Sequence, residues 1–287
     1  MLARNGVALF ERADPWGDVD KYLEVLRSKD SQLLFLVNLE SPLSVDVSED
    51  GANTYDLCAD SSQALVLKSV QIDMVSLVNN HSFDCAPDGM ARSIRILTDN
   101  SIGFVGDIFS PTFVVIKGVK VGVIAAEDVA APVDQQGLLS AIRDVRKQCD
   151  FLIVSMHWGM EYQAGISERQ EAMAQAIADA GADVLWGHHP HVLQRMEWIS
   201  AASGEHRMLA IYSMGNLLSD QGMNKDTQET ALISVIVKDE KITQIQIQPF
   251  VMDVYRMELR YADVEEAQDV LDRLKVDQLS GVELVIP

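Results

Sequence analysis

Four of the chain's six histidines follow two short apolar runs, in VSMHWGMEY (residues 154–162) and VLWGHHPHV (residues 184–192). A strand that stops at a polar side chain presents it at the edge of a sheet, which is where α/β proteins build their sites. Two earlier runs end the same way: Asn38 and Glu40 follow QLLFLV, and Asn79, Asn80 and His81 follow IDMVSLV. One polar strand end is explained by a turn or a helix cap. Four in succession, rich in imidazole, carboxylate and amide, supply the donor set of a divalent-cation site.

His157, His189 and His191 are the candidate imidazole ligands. Pro190 fixes the chain between the last two, and an extended His-Pro-His would place both rings on one side. Mixed nitrogen and oxygen donors from several strands suit Zn, Mn or Fe, often as two metals sharing a carboxylate. Glu40 is the candidate bridge and Asn80 offers an amide oxygen. His81 is the candidate proton donor, with Asp84 three residues later to fix its tautomer. More peripheral expectations are Glu161 supporting His157 from behind, Tyr212, Ser213 and Asn216 at the rim, His206 in a solvated loop, and Asp73 at a strand start.

These residues need a scaffold that brings strand ends together, and the chain alternates apolar runs with amphipathic stretches as a largely parallel α/β sheet requires. Strands are expected over residues 32–37, 72–78, 150–156 and 182–187, and helices over 61–69, 87–100, 138–148, 167–181 and 264–274. Residues 113–126, broken at Lys117-Gly118, and residues 229–250, broken at Lys-Asp-Glu-Lys, read as antiparallel hairpins. Two hairpins added to parallel units predict a mixed sheet or two stacked sheets. No repeat, low-complexity tract or linker divides the sequence, so residues 1–287 read as one domain.

The formal charge of -20, from 43 acidic against 23 basic residues, argues against a nucleic-acid surface, which needs clustered cations. The bland reading of that charge is a soluble protein kept dispersed. Cys58, Cys85 and Cys149 show neither disulfide-framework nor zinc-ligand spacing and are expected to be free thiols. No apolar stretch approaches the roughly 20 residues that span a bilayer, and the first residues lack the apolar core of a signal peptide.

With NLESPL (38–43), IDMVSLVNNHSFD (72–84), MHWGMEY (156–162), GADVLWGHHPHVLQ (181–194) and IYSMGN (211–216) in this order, the sequence resembles the poly-γ-glutamate capsule-synthesis proteins of the CapA type, within the calcineurin-like metallophosphoesterase superfamily. The resemblance implies a four-layer αββα sandwich of two mixed sheets flanked by helices. It implies Glu40 as bridge, Asn80, His157 and His189 around one metal, His191 at the other, and His81 as proton donor. His188 remains an alternative register for the first histidine of the Gly-His-x-His motif. Members open on a strand ending in Gly-Asp-x-Met-Leu, whose Asp is a ligand, whereas this chain opens Met-Leu-Ala-Arg-Asn-Gly, inside that motif. The favoured expectation is a start assigned late, with the first strand, one ligand and any signal or anchor upstream of Met1; the alternative is a truncated form with one metal position weakened by the missing Asp. The implied function is dimetal hydrolysis at a phosphoryl or acyl centre of an anionic polymer or a phosphorylated or acyl small molecule. The alternative is a noncatalytic subunit of a membrane-associated capsule synthesis and export complex.

Overall fold

The computed structural model describes residues 14–45, 57–85, 88–106 and 110–280, and the backbone of 283–285. Its largest sheet has six strands in the order β10-β11-β9-β8-β7-β6: β6 (Thr112–Ile116), β7 (Val119–Glu127), β8 (Phe151–His157), β9 (Val184–His188), β10 (Leu193–Ser200) and β11 (Arg207–Met214). Its centre is parallel, and antiparallel hairpins stand at both margins. The expected β6–β7 hairpin turns at Lys117 (φ 52°) and Gly118 (φ 84°), two left-handed residues whose twist matches that of the flanking strands. The β10–β11 hairpin was not anticipated; β11 is buried on both faces, so its sequence carries no alternation to reveal it.

A second layer faces this sheet. It contains a parallel sheet, β1 (Leu36–Asn38), β4 (Met74–Ser76) and β5 (Gly103–Val105), and a mixed sheet, β12 (Glu229–Lys238), β13 (Lys241–Asp253), β14 (Glu258–Tyr261) and β15 (Glu283–Val285). A small parallel pair, β2 (Leu43–Ser44) and β3 (Ala59–Asp60), stands apart. The second layer is therefore divided among separate ladders, because the described β1 and β12 edges do not pair with each other. The predicted β12–β13 hairpin is present, with Asp239 and Glu240 at φ 49° and 60° in its turn.

Three apolar cores separate four layers. Helices α4 (Gln135–Arg146) and α5 (Glu168–Asp179) cover the outer face of the six-stranded sheet, burying Leu138, Ile142, Met173 and Ile177 against Leu152, Val154 and Leu185. Val123, Phe151, Leu209, Ile245 and Ile247 fill the space between the sheets, and α6 (Val264–Leu274) closes it with Val270 and Leu274. Helices α1 (Asp18–Lys29), α2 (Gln63–Ser69) and α3 (Gly89–Asp99) form the other outer layer over Val75, Phe250 and Leu259. The mixed α/β architecture with helix-flanked sheets is thus the expected one, while α1 was not foreseen. Pro87, placed near the start of the third of these helices, lies outside the described residues.

Capping explains the sharp helix starts. Ser167 accepts from the backbone of Gln170 while the Gln170 side chain accepts from the Ser167 N–H, so two otherwise orphaned donors are satisfied. Asp263 and Glu266 repeat this arrangement at α6. Gly181 ends the turn after α5 at φ 101°, a backbone shape that side chains disfavour.

The free-thiol expectation is corrected for two of the three cysteines: Cys58 and Cys85 form a disulfide, leaving Cys149 reduced. Loop-rich sequence concealed the pairing, since 27 residues separate the partners and only the fold brings them together. Thiol titration of the denatured, unreduced chain should find one reactive thiol, rising to three after reduction. Replacing both bridged cysteines with Ser should lower stability by about 2–4 kcal/mol in urea unfolding. Three thiols before reduction would contradict the bridge.

Candidate metal centre

Strand register brings the four sequence segments together. Asn38 pairs with Ser76 across β1 and β4, and His157 with His188 across β8 and β9, so each parallel pair ends level. Ser76 and Ser155 meet between the layers, with their hydroxyl oxygens 3.3 Å apart, fixing the two sheets against each other just below the strand ends. The loops after β1, β4, β8 and β9 then rise from one edge of the sandwich, as strand-end sites require.

On this edge the Nε2 of His157 lies 2.7 Å from Asn80 Oδ1 and 3.6 Å from Glu40 Oε1, and His191 Nε2 lies 3.7 Å from the same Glu40 oxygen. Candidate ligand atoms of Glu40, His157 and His189 all lie within 4.8 Å of one another. Those three side chains are buried, and Glu40 Oε1, His157 Nδ1 and His189 Nδ1 have no hydrogen-bond partner. Buried polar atoms ordinarily find partners, and a carboxylate left bare among imidazoles carries a large desolvation cost. A divalent cation fits that donor set: it would satisfy the bare oxygen and the imidazole lone pairs together.

Burial followed by the neighbouring imidazoles holds His157 well below the usual histidine range. Burial also lowers His189, although Glu40 and Glu161 oppose it. Both rings are consequently neutral near pH 7, the state that ligates a metal. His188 is buried as well, and desolvation takes it to about 3. Its ring meets the edge of Trp186 at 4.3 Å between centroids, outside both compact donor groups, so the structure places His189 rather than His188 beside Glu40.

The GHHPH segment departs from the extended geometry expected for it. His189 and His191 have φ of 97° and 59°, so the chain turns twice through left-handed conformations that cost L-residues roughly 1–2 kcal/mol each. The turn sets the two rings 5.8 Å apart, both facing Glu40. His191 Nδ1 lies 2.9 Å from Asn216 Oδ1. Asn216 Nδ2 donates to Gln221 Oε1 and Thr227 O, both at 3.0 Å, which makes Oδ1 an acceptor. The His191 proton therefore sits on Nδ1 and its Nε2 lone pair is directed to the Glu40 side.

His81 Nδ1 lies 2.8 Å from Asp84 Oδ2, the oxygen that also accepts the Leu57 N–H at 2.7 Å. The neighbouring disulfide ties Cys58 to Cys85, so the orienting carboxylate is held from both sides of that contact. Burial disfavours the charged imidazole, but the Asp84 hydrogen bond and the Glu40, Asp84 and Glu161 charges outweigh it and raise His81 above its ordinary value. Asn79, given no role by the sequence, joins two of the loops: its Nδ2 donates to Leu39 O at 3.0 Å and its Oδ1 accepts from the His81 N–H at 3.0 Å. The signal available was the Asn-Asn pair itself, in which one amide can bind while the other braces the backbone.

Several peripheral expectations change. Glu161 stands beside His189 and His191 rather than behind His157. Tyr212 is buried against Trp158 and donates to Glu197 at 2.9 Å, and Ser213 is also buried, so neither lines the rim; Asn216 is the orienting residue of that motif. His206 is held to Ala182 O at 2.6 Å instead of being solvated. Asp73 is structural as expected, accepting the Phe35 N–H at 2.7 Å.

The family described as bacterial capsule synthesis protein PGA_cap matches residues 2–221, and the chain belongs to that family. It is similar to the PGA biosynthesis protein CapA of Bacillus subtilis, at 26% identity over 74% of this chain and 60% of that protein. It is also similar to the capsule biosynthesis protein CapA of Bacillus anthracis, at 28% identity over 77% of this chain and 56% of that protein. The chain thus matches just under two thirds of the length of these relatives. In fold, it is similar to a hypothetical protein from Thermus thermophilus, with a TM-score of 0.54 and 13% identity over 82% of this chain and 93% of that one.

Asn216→Ala should weaken divalent-metal affinity by about 10–100-fold, measured by competition with a fluorescent chelator, because the His191 tautomer loses its support. Asn216→Asp, which keeps the acceptor, should retain most of the affinity. Equal affinity in wild type and Asn216→Ala would remove this orienting role.

Proposed function

We propose that the chain is a divalent-metal-dependent hydrolase of metallophosphoesterase type that serves capsule or poly-γ-glutamate synthesis. The observation that carries the reading is the convergence of Glu40 Oε1, Asn80 Oδ1 and the His157 and His191 Nε2 atoms beside an oriented His81–Asp84 pair. Glu40, Asn80, His157, His189 and His191 would hold the metal ions. A divalent ion, bound there, supplies Lewis acidity toward a phosphoryl or acyl oxygen and lowers the pKa of water.

The remaining roles fall to the chain's own residues. Asp84 accepts the His81 Nδ1 proton and stabilises the charged imidazole, whose second proton, on Nε2, is the one available for donation to a leaving oxygen. Among the described residues, the pocket beside Glu40 is lined by Asn38, His188, His189, His191, Asn216, Thr230 and apolar side chains, with no Lys or Arg. An anionic substrate meets no Lys or Arg there, so a bound divalent cation would supply the positive charge that attracts it. That electrostatic requirement favours a metal-dependent step on an anionic polymer, or on its phosphorylated or acyl precursor, over recognition by protein cations.

The disulfide supports an oxidising compartment, where such bridges persist. Among the described residues, no helix is long and apolar enough to cross a membrane. Work within a capsule-synthesis complex accords with the names of the relatives. A noncatalytic assembly role is the opposing outcome of the activity test.

Hydrolysis of p-nitrophenyl phosphate and of its bis-ester should depend on added Mn and stop with a chelator. His81→Ala and His189→Ala should each lower the rate by about 10²-fold or more, since positioned acid catalysis and metal polarisation contribute on that order. Unchanged rates in both variants, or rates indifferent to the chelator, would exclude the proposed chemistry.

A further inference from the structure

Glu161 occupies a loop that the chain ties directly to the strained histidine turn. The Trp158 N–H donates to His188 O at 3.0 Å and the Tyr162 N–H donates to Pro190 O at 2.8 Å, so residues 158–162 are anchored along residues 188–190. The Tyr162 ring lies 6.0 Å from that of His191, on the same side. Between these anchors, candidate ligand atoms of Glu161, His189 and His191 lie within 4.8 Å of one another. This group shares His189 with the Glu40–His157–His189 group, yet Glu161 is exposed where Glu40 is buried.

Two features point to a ligand there. Glu40 is only 6% exposed and its Oε1 lacks a partner, a bare carboxylate oxygen open to an ion on either side. His191 commits Nδ1 to Asn216, which leaves Nε2 as its ligating atom, 3.7 Å from Glu40 Oε1. The Glu40 oxygen thus stands between His157 Nε2 and His191 Nε2, one in each group.

We propose that Glu161 is a metal ligand, completing with His191 and the shared Glu40 carboxylate a second, solvent-facing cation position next to the inner one, which keeps the single lone pair of His189. Carboxylate with imidazole suits Mn, Zn or Fe. Three protein ligands at an exposed position leave room for water or a substrate oxygen, as open catalytic sites do. The outer position would then be the one that meets an anionic substrate, while the inner cation stays enclosed. This inference rests on the proposed metal-dependent reading and assigns Glu161 a task different from orienting an imidazole.

Equilibrium dialysis of metal-free protein against Mn, with bound metal counted by mass spectrometry and examined by electron paramagnetic resonance, tests it. Wild type should bind two Mn ions per chain with a spin-coupled spectrum. Glu161→Gln should bind one, uncoupled, with affinity at the remaining position within about threefold of wild type, while Glu161→Asp regains part of the second. Because glutamine keeps a hydrogen-bond acceptor, an orienting role would leave both ions in Glu161→Gln, and two coupled ions in that variant would overturn the proposal. A single ion in wild type, unchanged in Glu161→Gln and lost in His157→Ala, would overturn it while leaving the inner site intact. No bound Mn in any form would overturn the inner site as well. Exposure of Glu161 makes misfolding an easily checked confound, and unchanged circular dichroism accompanies the expected result.

Discussion

The Oε1 oxygen of Glu40 is buried, faces His157 Nε2 at 3.6 Å and His191 Nε2 at 3.7 Å, and has no hydrogen-bond partner. A carboxylate in such a place is costly unless positive charge meets it. His157, held neutral by burial, does not supply that charge. A divalent cation would resolve the conflict, and contacts on both sides hold the arrangement in place. Asn79 pins the backbone next to Glu40 through Leu39 O, and His191 cannot turn away without breaking its bond to Asn216.

The scaffold concentrates its rigidity at this edge. Parallel register levels the ends of β1 with β4 and of β8 with β9, and Ser76 with Ser155 joins the layers beneath them. The left-handed His189 and His191 store backbone strain that ordinary packing would not select, which is the pattern expected where geometry serves a ligand. On the opposite side of the site, the Cys58–Cys85 bridge and the Leu57 N–H hold Asp84, and Asp84 holds His81. The candidate metal ligands and the candidate proton donor are thereby held by separate parts of the chain.

The strand-end residues were legible because period and position reveal them: an apolar run that stops at Asn, Glu or His marks the sheet edge wherever the strand lies. Both hairpins and the helix over residues 264–274 were legible for the same local reason, through Lys117-Gly118, the Lys238–Lys241 turn and the Asp263 cap. What escaped depended on contacts distant in sequence. Cys58 and Cys85 give no spacing signal, Asn216 reads as a rim residue until His191 is seen beside it, and Glu161 looks nearer to His157 than to His189. The HPH turn misled in another way, since proline suggested an extended segment while the site required two positive φ angles. The division of the second layer into separate ladders was likewise invisible, because strand propensity does not say which edges will pair.

Membership of the capsule synthesis family and the buried donor set meet at one chemical idea, a cation held at Glu40 for work on an anionic substrate. Anomalous diffraction at the manganese edge, from crystals equilibrated with saturating Mn, addresses that idea most directly. The expected result is a peak enclosed by Glu40, Asn80, His157 and His189. A map with no anomalous peak among those four side chains would contradict it.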